Sequence, residues 1–281
     1  MVKTYYRPSG FEEALKLLAD PTDKNSALAG GTTLALNPRG VDGLVDLGAL
    51  GLTRIMADRG CLRIGATTAI REIQRSEQVR QSAGGIVAEA ARNYLTALIR
   101  NRATLGGILA AGNFWADLVT VLVALDASVR IRAGLDASGV SREISAPVEE
   151  FVQKGPRKSL AGGILCEISI PSCDSPACRC VYNRLAKVET DISILSAAAK
   201  VTLAGSGKTI ASARIAVGNG SKPVRLKEAE EKIRGKTAAA AADIAASAAA
   251  RIQADSDLRA SAEYRREVAA VLVKRLFQNL S

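Results

Sequence analysis

The 281-residue sequence contains no histidine. That excludes Ser-His-Asp and Cys-His catalysis, His-ligated zinc or haem, and a histidyl-linked cofactor. Any chemistry falls to carboxylates, Lys, Tyr, Cys, backbone groups or a cofactor from outside. Aromatic residues are scarce, at 4%, so the core has to be aliphatic and Ala-rich. Long hydrophobic runs are missing as well. The longest, 118–125, is interrupted by Thr120 and followed by Asp126, whereas about 20 apolar residues are needed to span a bilayer. No apolar stretch of the signal-peptide kind follows the first residues, so a cytoplasmic location without membrane attachment is expected. The five cysteines (Cys61, Cys166, Cys173, Cys178 and Cys180) are odd in number. In a cytoplasmic setting this predicts thiols rather than a disulfide framework.

With 48% hydrophobic and 23% charged residues, the chain has the composition of a globular protein. Its 38 Lys and Arg against 28 Asp and Glu give a net charge of +10. These basic residues are scattered, without a dense tract or an aromatic-interleaved face, so no nucleic-acid partner is expected. An acidic partner protein or a polyanionic small molecule accounts for the surplus.

Hydrophobic periodicity and turn residues outline the elements. Tyr5 and Tyr6 open a strand. Ser9 and Glu12 have capping-box spacing ahead of a helix that ends at Asp20 and Pro21. Residues 26–29 read as a buried strand and 43–47 as another. A hairpin is expected over 53–66, turning at 58–60, and then a helix capped by Thr68. Residues 78–99 read as helix with Gly84 and Gly85 inside it, and 113–125 as a second helix. Strands follow at 128–132 and 165–170. The polar stretch 172–179 is the best domain boundary. Beyond it, strands at 181–184, 197–203 and 211–217 precede helices over 237–253 and 260–278, an α+β pattern.

Three groups of residues could carry chemistry. Gly205, Ser206, Gly207, Lys208 and Thr209 look like the end of a P-loop. However, Thr202 stands where the motif's first Gly belongs, and strands flank the segment on both sides, so a hairpin turn is expected. Cys166, Cys173, Cys178 and Cys180 fall within 15 residues, but their C-x6-C-x4-C-x-C spacing matches no usual metal pattern. Finally, two Gly-Gly loops, 29–34 and 103–107, lie beside strands and helices. Glycine admits close backbone approach and Thr adds donors, a combination suited to a pyrophosphate. Neither loop has the G-x-G-x-x-G fingerprint.

At these loops the chain resembles the flavin-binding medium subunit of the molybdenum hydroxylases, the group of xanthine dehydrogenase, aerobic carbon monoxide dehydrogenase and 4-hydroxybenzoyl-CoA reductase. The likeness runs through 5–8, 28–34, 62–67, 100–107, 116–125, 167–171, 182–191 and 215–218. It implies an α+β chain with the vanillyl-alcohol-oxidase-type fold: two α/β subdomains around FAD, at 1–55 and 56–171, and a C-terminal α+β domain at 172–281. On this resemblance Ala29, Gly30, Gly31, Thr32, Thr33 and Leu34 wrap the pyrophosphate. Thr104, Leu105, Gly106 and Gly107 form the second strip, with Tyr94 nearby. Asp117, Leu165 and Arg184 match positions close to the flavin. The resemblance further implies non-covalent FAD in this chain, with the molybdenum cofactor in a large partner subunit and [2Fe–2S] clusters in a small one. NAD⁺ or another acceptor would take the electrons. No catalytic side chain and no metal are expected here. Ile108 departs from the family pattern by replacing a polar residue, Asn113, Phe114 and Trp115 by replacing a Pro/Ala-rich stretch, and Thr120 by replacing a frequent Pro. A stand-alone flavin oxidoreductase and a degenerate scaffold without flavin are the alternative readings.

Overall fold

The computed structural model describes residues 2–280 apart from 37, 39, 59, 136–138, 174, 206 and 279. Thr4–Tyr6 (β1), Asn25–Leu28 (β2) and Gly43–Asp46 (β3) pair in parallel in the order β1-β3-β2. Parallel strands need crossovers, and helix Phe11–Ala19 (α1) provides the first, burying Ala14 and Leu15. The helix starts one residue later than the expected Ser9 cap implies. Gly10 occupies the cap position, and Ser9 bonds through both N–H and Oγ to Glu13, at 2.8 and 3.1 Å, instead of to Glu12. As an edge strand, β2 is half-buried rather than buried.

Ile55–Asp58 (β4), Cys61–Gly65 (β5), Ser128–Leu135 (β6), Ser141–Pro147 (β7) and Ile164–Pro171 (β8) make an antiparallel sheet ordered β4-β5-β8-β6-β7. The expected hairpin is β4–β5, with Asp58 opposite Cys61; Arg59 in its turn lies outside the described residues. Sequence patterning misses β7 because that edge strand is mostly exposed and carries Ser, Arg and Glu in place of an apolar face.

Short helices cover this sheet: Ile70–Arg75 (α2), Glu77–Gln81 (α3), Ile86–Arg92 (α4), Ala97–Arg100 (α5), Leu105–Ala110 (α6), Asp117–Ala124 (α7), Val148–Lys154 (α8) and Pro156–Leu160 (α9). Two expectations need correction. The single helix over 78–99 is broken into pieces because Gly84 and Gly85 adopt φ of 63° and 77°, outside the helical region. Thr68 does not cap α2. Its hydroxyl bonds the N–H and C=O of Arg54, each at 3.2 Å, and the Glu72 carboxylate takes the Ala69 N–H at 3.0 Å.

Cys178–Leu185 (β9), Leu195–Leu203 (β10), Ile210–Gly218 (β11) and Val224–Arg225 (β12) form the antiparallel sheet β12-β11-β10-β9. Lys227–Lys232 (α10), Ala238–Ala249 (α11) and Ala262–Gln278 (α12) follow it. β10 and β11 pair directly across the 204–209 turn, so the P-loop reading is excluded by topology; Ser206 itself lies outside the described residues. Helix α7 is buried at all eight positions and packs against β10 and β11. There the Thr120 and Ser196 hydroxyls meet at 2.9 Å.

The cysteine expectation is overturned in part, because Cys173 and Cys178 form a disulfide. Parity of the count weighed against a bridge. Local geometry decides for one: a turn with Cys178 N–H on the Ser175 carbonyl, at 2.8 Å, brings the two Cα atoms to 5.6 Å, within disulfide range. Cys61, Cys166 and Cys180 are free. Among the described residues, no helix is long and apolar enough to cross a membrane.

A charge cluster ties β12 to α7, α8 and α10. Arg225 reaches Glu230 at 2.6 Å, Glu149 at 3.1 Å and Asp126 at 3.3 Å, and Glu230 also accepts the Ile215 N–H at 2.9 Å. Arg225→Met leaves Glu230 buried without its main cation and should cost about 3 kcal/mol of stability. Urea unfolding should show it, and the double variant Arg225→Met/Glu230→Leu should recover most of the loss. A second expectation concerns acid. Arg259 and Arg265 hold the Asp257 carboxyl well below the usual carboxylate range. Its stabilising contribution is full above an unfolded value of about 4 and is lost as pH falls through the lower folded value. Thermal midpoints measured from roughly pH 5 to pH 2 should fall more steeply for the wild type than for Asp257→Asn.

Candidate functional site

The loop after β2 and the start of α6 face each other across a cleft of about 1180 Å³, part of it open to solvent. Ala29, Gly30, Gly31, Thr32, Thr33 and Leu34 form one wall; Thr104, Gly106, Gly107, Ile108 and Asn113 form the other, with Tyr94 and Leu165 between them. Leu105 is fully buried in the core and contributes no surface to the cleft.

Two missing side chains allow the walls to approach. A Cβ on Gly30 would run into the Arg102 carbonyl oxygen, and one on Gly106 would lie 2.6 Å from the Ala66 Cβ. Gly31 takes φ 73°, which turns the loop after the strand. One hydrogen bond then spans the cleft, from Asn113 Nδ2 to Thr33 Oγ1 at 3.0 Å. Because the nitrogen donates, the Thr33 hydroxyl keeps its own proton for another acceptor.

The two strips differ in what they offer an anion. Among the described residues, the amides of Gly30, Gly31, Thr32, Thr33 and Leu34 donate to no backbone carbonyl; the first such bond of the loop is Ala35 N–H to Gly31 O at 2.9 Å. Five consecutive N–H groups in a loop that lines the cleft are therefore without a backbone acceptor among the described residues. In the second strip the donors are spent. Leu105 N–H bonds Thr68 O at 3.2 Å, Gly106 N–H bonds Ala66 O at 2.9 Å, and Gly107 N–H bonds Thr104 Oγ1 at 3.1 Å. Gly106 and Gly107 supply room, while the first loop supplies donors.

Behind Tyr94 lies a second group of residues. Tyr94 stacks on Trp115, with centroids 5.7 Å apart and planes 4° from parallel, so the sole tryptophan packs against protein. Burial pushes the Tyr94 hydroxyl up to about 12, and it stays protonated at neutral pH. Asp117, at the first position of α7, accepts from Tyr182 Oη at 2.6 Å and Ser193 Oγ at 2.7 Å, and its Oδ2 lies 3.1 Å from Arg184 Nε, whose N–H donates to Ser193 Oγ at 2.9 Å. Its other oxygen, Oδ1, is buried without a partner. Burial raises the Asp117 carboxyl above its ordinary value, against the pull of the Tyr182 and Ser193 hydroxyls and of the Arg184 charge. Arg184 is tied down further by the carbonyls of Glu189 at 2.8 Å and Asp191 at 2.7 Å. Asp117 and Arg184 thus form a pair one layer behind the Tyr94 wall; they do not line the main cleft.

Sequence reasoning missed Asn113 as part of the cleft and treated it only as a departure from pattern. Its position, just past α6 and opposite a Thr-rich loop, is a signal that could have found it. Gly163 and Ile164, also at the cleft, sit where β8 begins and gave no such signal.

Comparison with known proteins agrees with this geometry. Residues 1–173 match the family described as FAD binding domain in molybdopterin dehydrogenase, and residues 181–280 match the CO dehydrogenase flavoprotein C-terminal domain. The chain is 32% identical to the 6-hydroxypseudooxynicotine dehydrogenase complex subunit alpha of Paenarthrobacter nicotinovorans, over 96% of this chain and 92% of that one. It is 29% identical to the glyceraldehyde dehydrogenase medium chain of Sulfolobus acidocaldarius, over 99% and 98%. Its fold superposes on a chain of carbon monoxide dehydrogenase from Hydrogenophaga pseudoflava with a TM-score of 0.88, at 26% identity over 99% and 96%. The chain belongs to the family of FAD-binding medium subunits of the molybdenum hydroxylase-type dehydrogenases.

Proposed function

We propose that this chain binds FAD in the cleft between the 29–34 loop and α6, and carries electrons within a cytoplasmic molybdenum hydroxylase complex. Its partners would be a molybdenum-cofactor large subunit and a [2Fe–2S] small subunit, with NAD⁺ or another acceptor at the end of the path. We place the subdomain limits at 1–55, 56–171 and 172–281. The observation that carries the reading is the run of amides from Gly30 to Leu34, without a backbone acceptor among the described residues, in the loop that lines the cleft. A chain of N–H groups in a Gly-rich loop is an anion cradle, and a dinucleotide brings a pyrophosphate to it.

When bound, FAD would supply the redox chemistry that this chain's own side chains lack. The chain's own residues bind and orient. The 30–34 amides and the Thr33 hydroxyl would hold the phosphate oxygens. Ile108, Leu165 and the Tyr94 face give apolar walls that exclude water. The Arg184–Asp117 pair fixes charge behind Tyr94. No side chain is asked to donate or accept a proton in the reaction, consistent with the absence of histidine.

The test is purification of the chain alone and together with candidate large and small partner subunits. The reading expects one FAD per chain and co-purification of molybdenum and iron with the partners, with NADH formed on adding substrate and NAD⁺. A colourless chain that takes up no FAD would reject it. Gly31→Val forces a β-branched residue into φ 73° and fills the phosphate path. It should abolish flavin retention, as judged by the flavin-to-protein absorbance ratio after gel filtration. Asp117→Ala leaves Arg184 buried without its carboxylate and should cost about 3 kcal/mol of stability. Asp117→Asn keeps an acceptor and should cost less. Urea midpoints of the two variants decide the point, and equal midpoints for both and the wild type would remove the pair from the energetics.

A further inference from the structure

Three sulfur atoms meet where the chain leaves the five-stranded sheet for the four-stranded one. Besides the Cys173–Cys178 disulfide, the Cys180 thiol lies with its Sγ 3.2 Å from Cys173 Sγ. All three sulfurs fall within 4.8 Å of one another. Strand geometry explains the convergence. Side chains two residues apart on a strand share a face, so Cys178 and Cys180 of β9 present their sulfurs to the same side, where Cys173 sits. Each of the three is half-buried, which leaves access for a small reagent. Burial pushes the Cys180 thiol up to about 11, and the Lys200 ammonium on the neighbouring strand opposes the rise.

We propose that Cys173, Cys178 and Cys180 form a thiol–disulfide exchange site with Cys173 as the shared sulfur and small thiols or disulfides of the glutathione type as its ligands. The Cys180 thiolate, its proton given to solvent, attacks Cys173 Sγ. A Cys173–Cys180 bond forms, the Cys173–Cys178 bond breaks, and Cys178 leaves as a thiolate that takes up a proton. No net oxidation occurs. The cross-link moves from the first residue of β9 to a point two residues inside it. Tyr182 and Arg184 continue the same face of this strand and hold Asp117. The position of the cross-link therefore acts on the strand that carries the Asp117 pair.

Trypsin separates the two states, because Arg179 lies between Cys178 and Cys180. A 173–178 bond stays within one tryptic peptide, whereas a 173–180 bond joins two. The full-length chain is incubated with oxidised glutathione, quenched in acid, alkylated with iodoacetamide and mapped without reduction. Both links are expected in the wild type. Cys178→Ser should form the 173–180 link, with glutathione as oxidant and reduced glutathione as product, and should lose alkylation at both residues. Cys173→Ser should give no internal link. Recovery of Cys173 and Cys180 as two alkylated thiols in Cys178→Ser would overturn the proposal. So would a wild-type chain with all three thiols reduced and holding zinc or iron. The wild-type map alone decides the matter if the serine variants do not fold.

Discussion

A helix with no solvent-facing side must be covered from every direction, and α7 imposes that requirement on its neighbours. Its apolar residues, from Leu118 to Ala124, are shut between α4 on one side and β10 and β11 on the other. Neither sheet region can bury this helix alone, so the four-stranded sheet is held against the cleft-bearing part by the hydrophobic effect acting on a shared element. Two polar groups are buried with it. Thr120 pairs with Ser196, and Asp117 gathers Tyr182, Ser193 and Arg184. Buried polar groups are expensive unless satisfied. Their partners all come from β9, β10 and the segment joining them, so the same contacts also set the orientation of the two regions.

The cleft depends on that arrangement in a graded way. Its donors belong to the loop following β2, while its shape comes from α6. The loop reaches α6 only because Gly30 has no side chain to meet the Arg102 carbonyl. Backbone amides that would otherwise be expensive to leave unpaired are tolerated where a ligand can satisfy them. Their concentration in one loop, and their absence from the start of α6, divides the work between two glycine pairs that look alike as sequence.

That division shows what the sequence could and could not reveal. The loops, the hairpin at β4–β5, most strands of the last sheet and the two final helices were legible because turn residues and hydrophobic periodicity act locally. Most of the residues that line the cleft were legible through resemblance and loop chemistry, whereas Leu105, Asp117 and Arg184 lie away from it. What Gly106 and Gly107 do was not legible, because their amides are taken by Ala66, which lies far away in sequence, and by the Thr104 hydroxyl. The break at Gly84 was hidden for a related reason: β9 packs there, placing the Cys180 carbonyl 3.1 Å from where a Cβ would be. Strand β7 carries little apolar signal because it is an edge. The disulfide escaped because a four-residue turn, 175–178, outweighs the parity of a cysteine count.

Arg184 has one further consequence. Its guanidinium donates to the Ser193 hydroxyl and to the carbonyls of Glu189 and Asp191, and sits against the Asp117 carboxylate, so it cannot swing to follow a ligand. A lysine at this place would bring one nitrogen in place of three and could not hold all of these partners at once. The positive charge behind the Tyr94 wall is therefore fixed in position by the fold, and no ligand has to spend energy to set it in place.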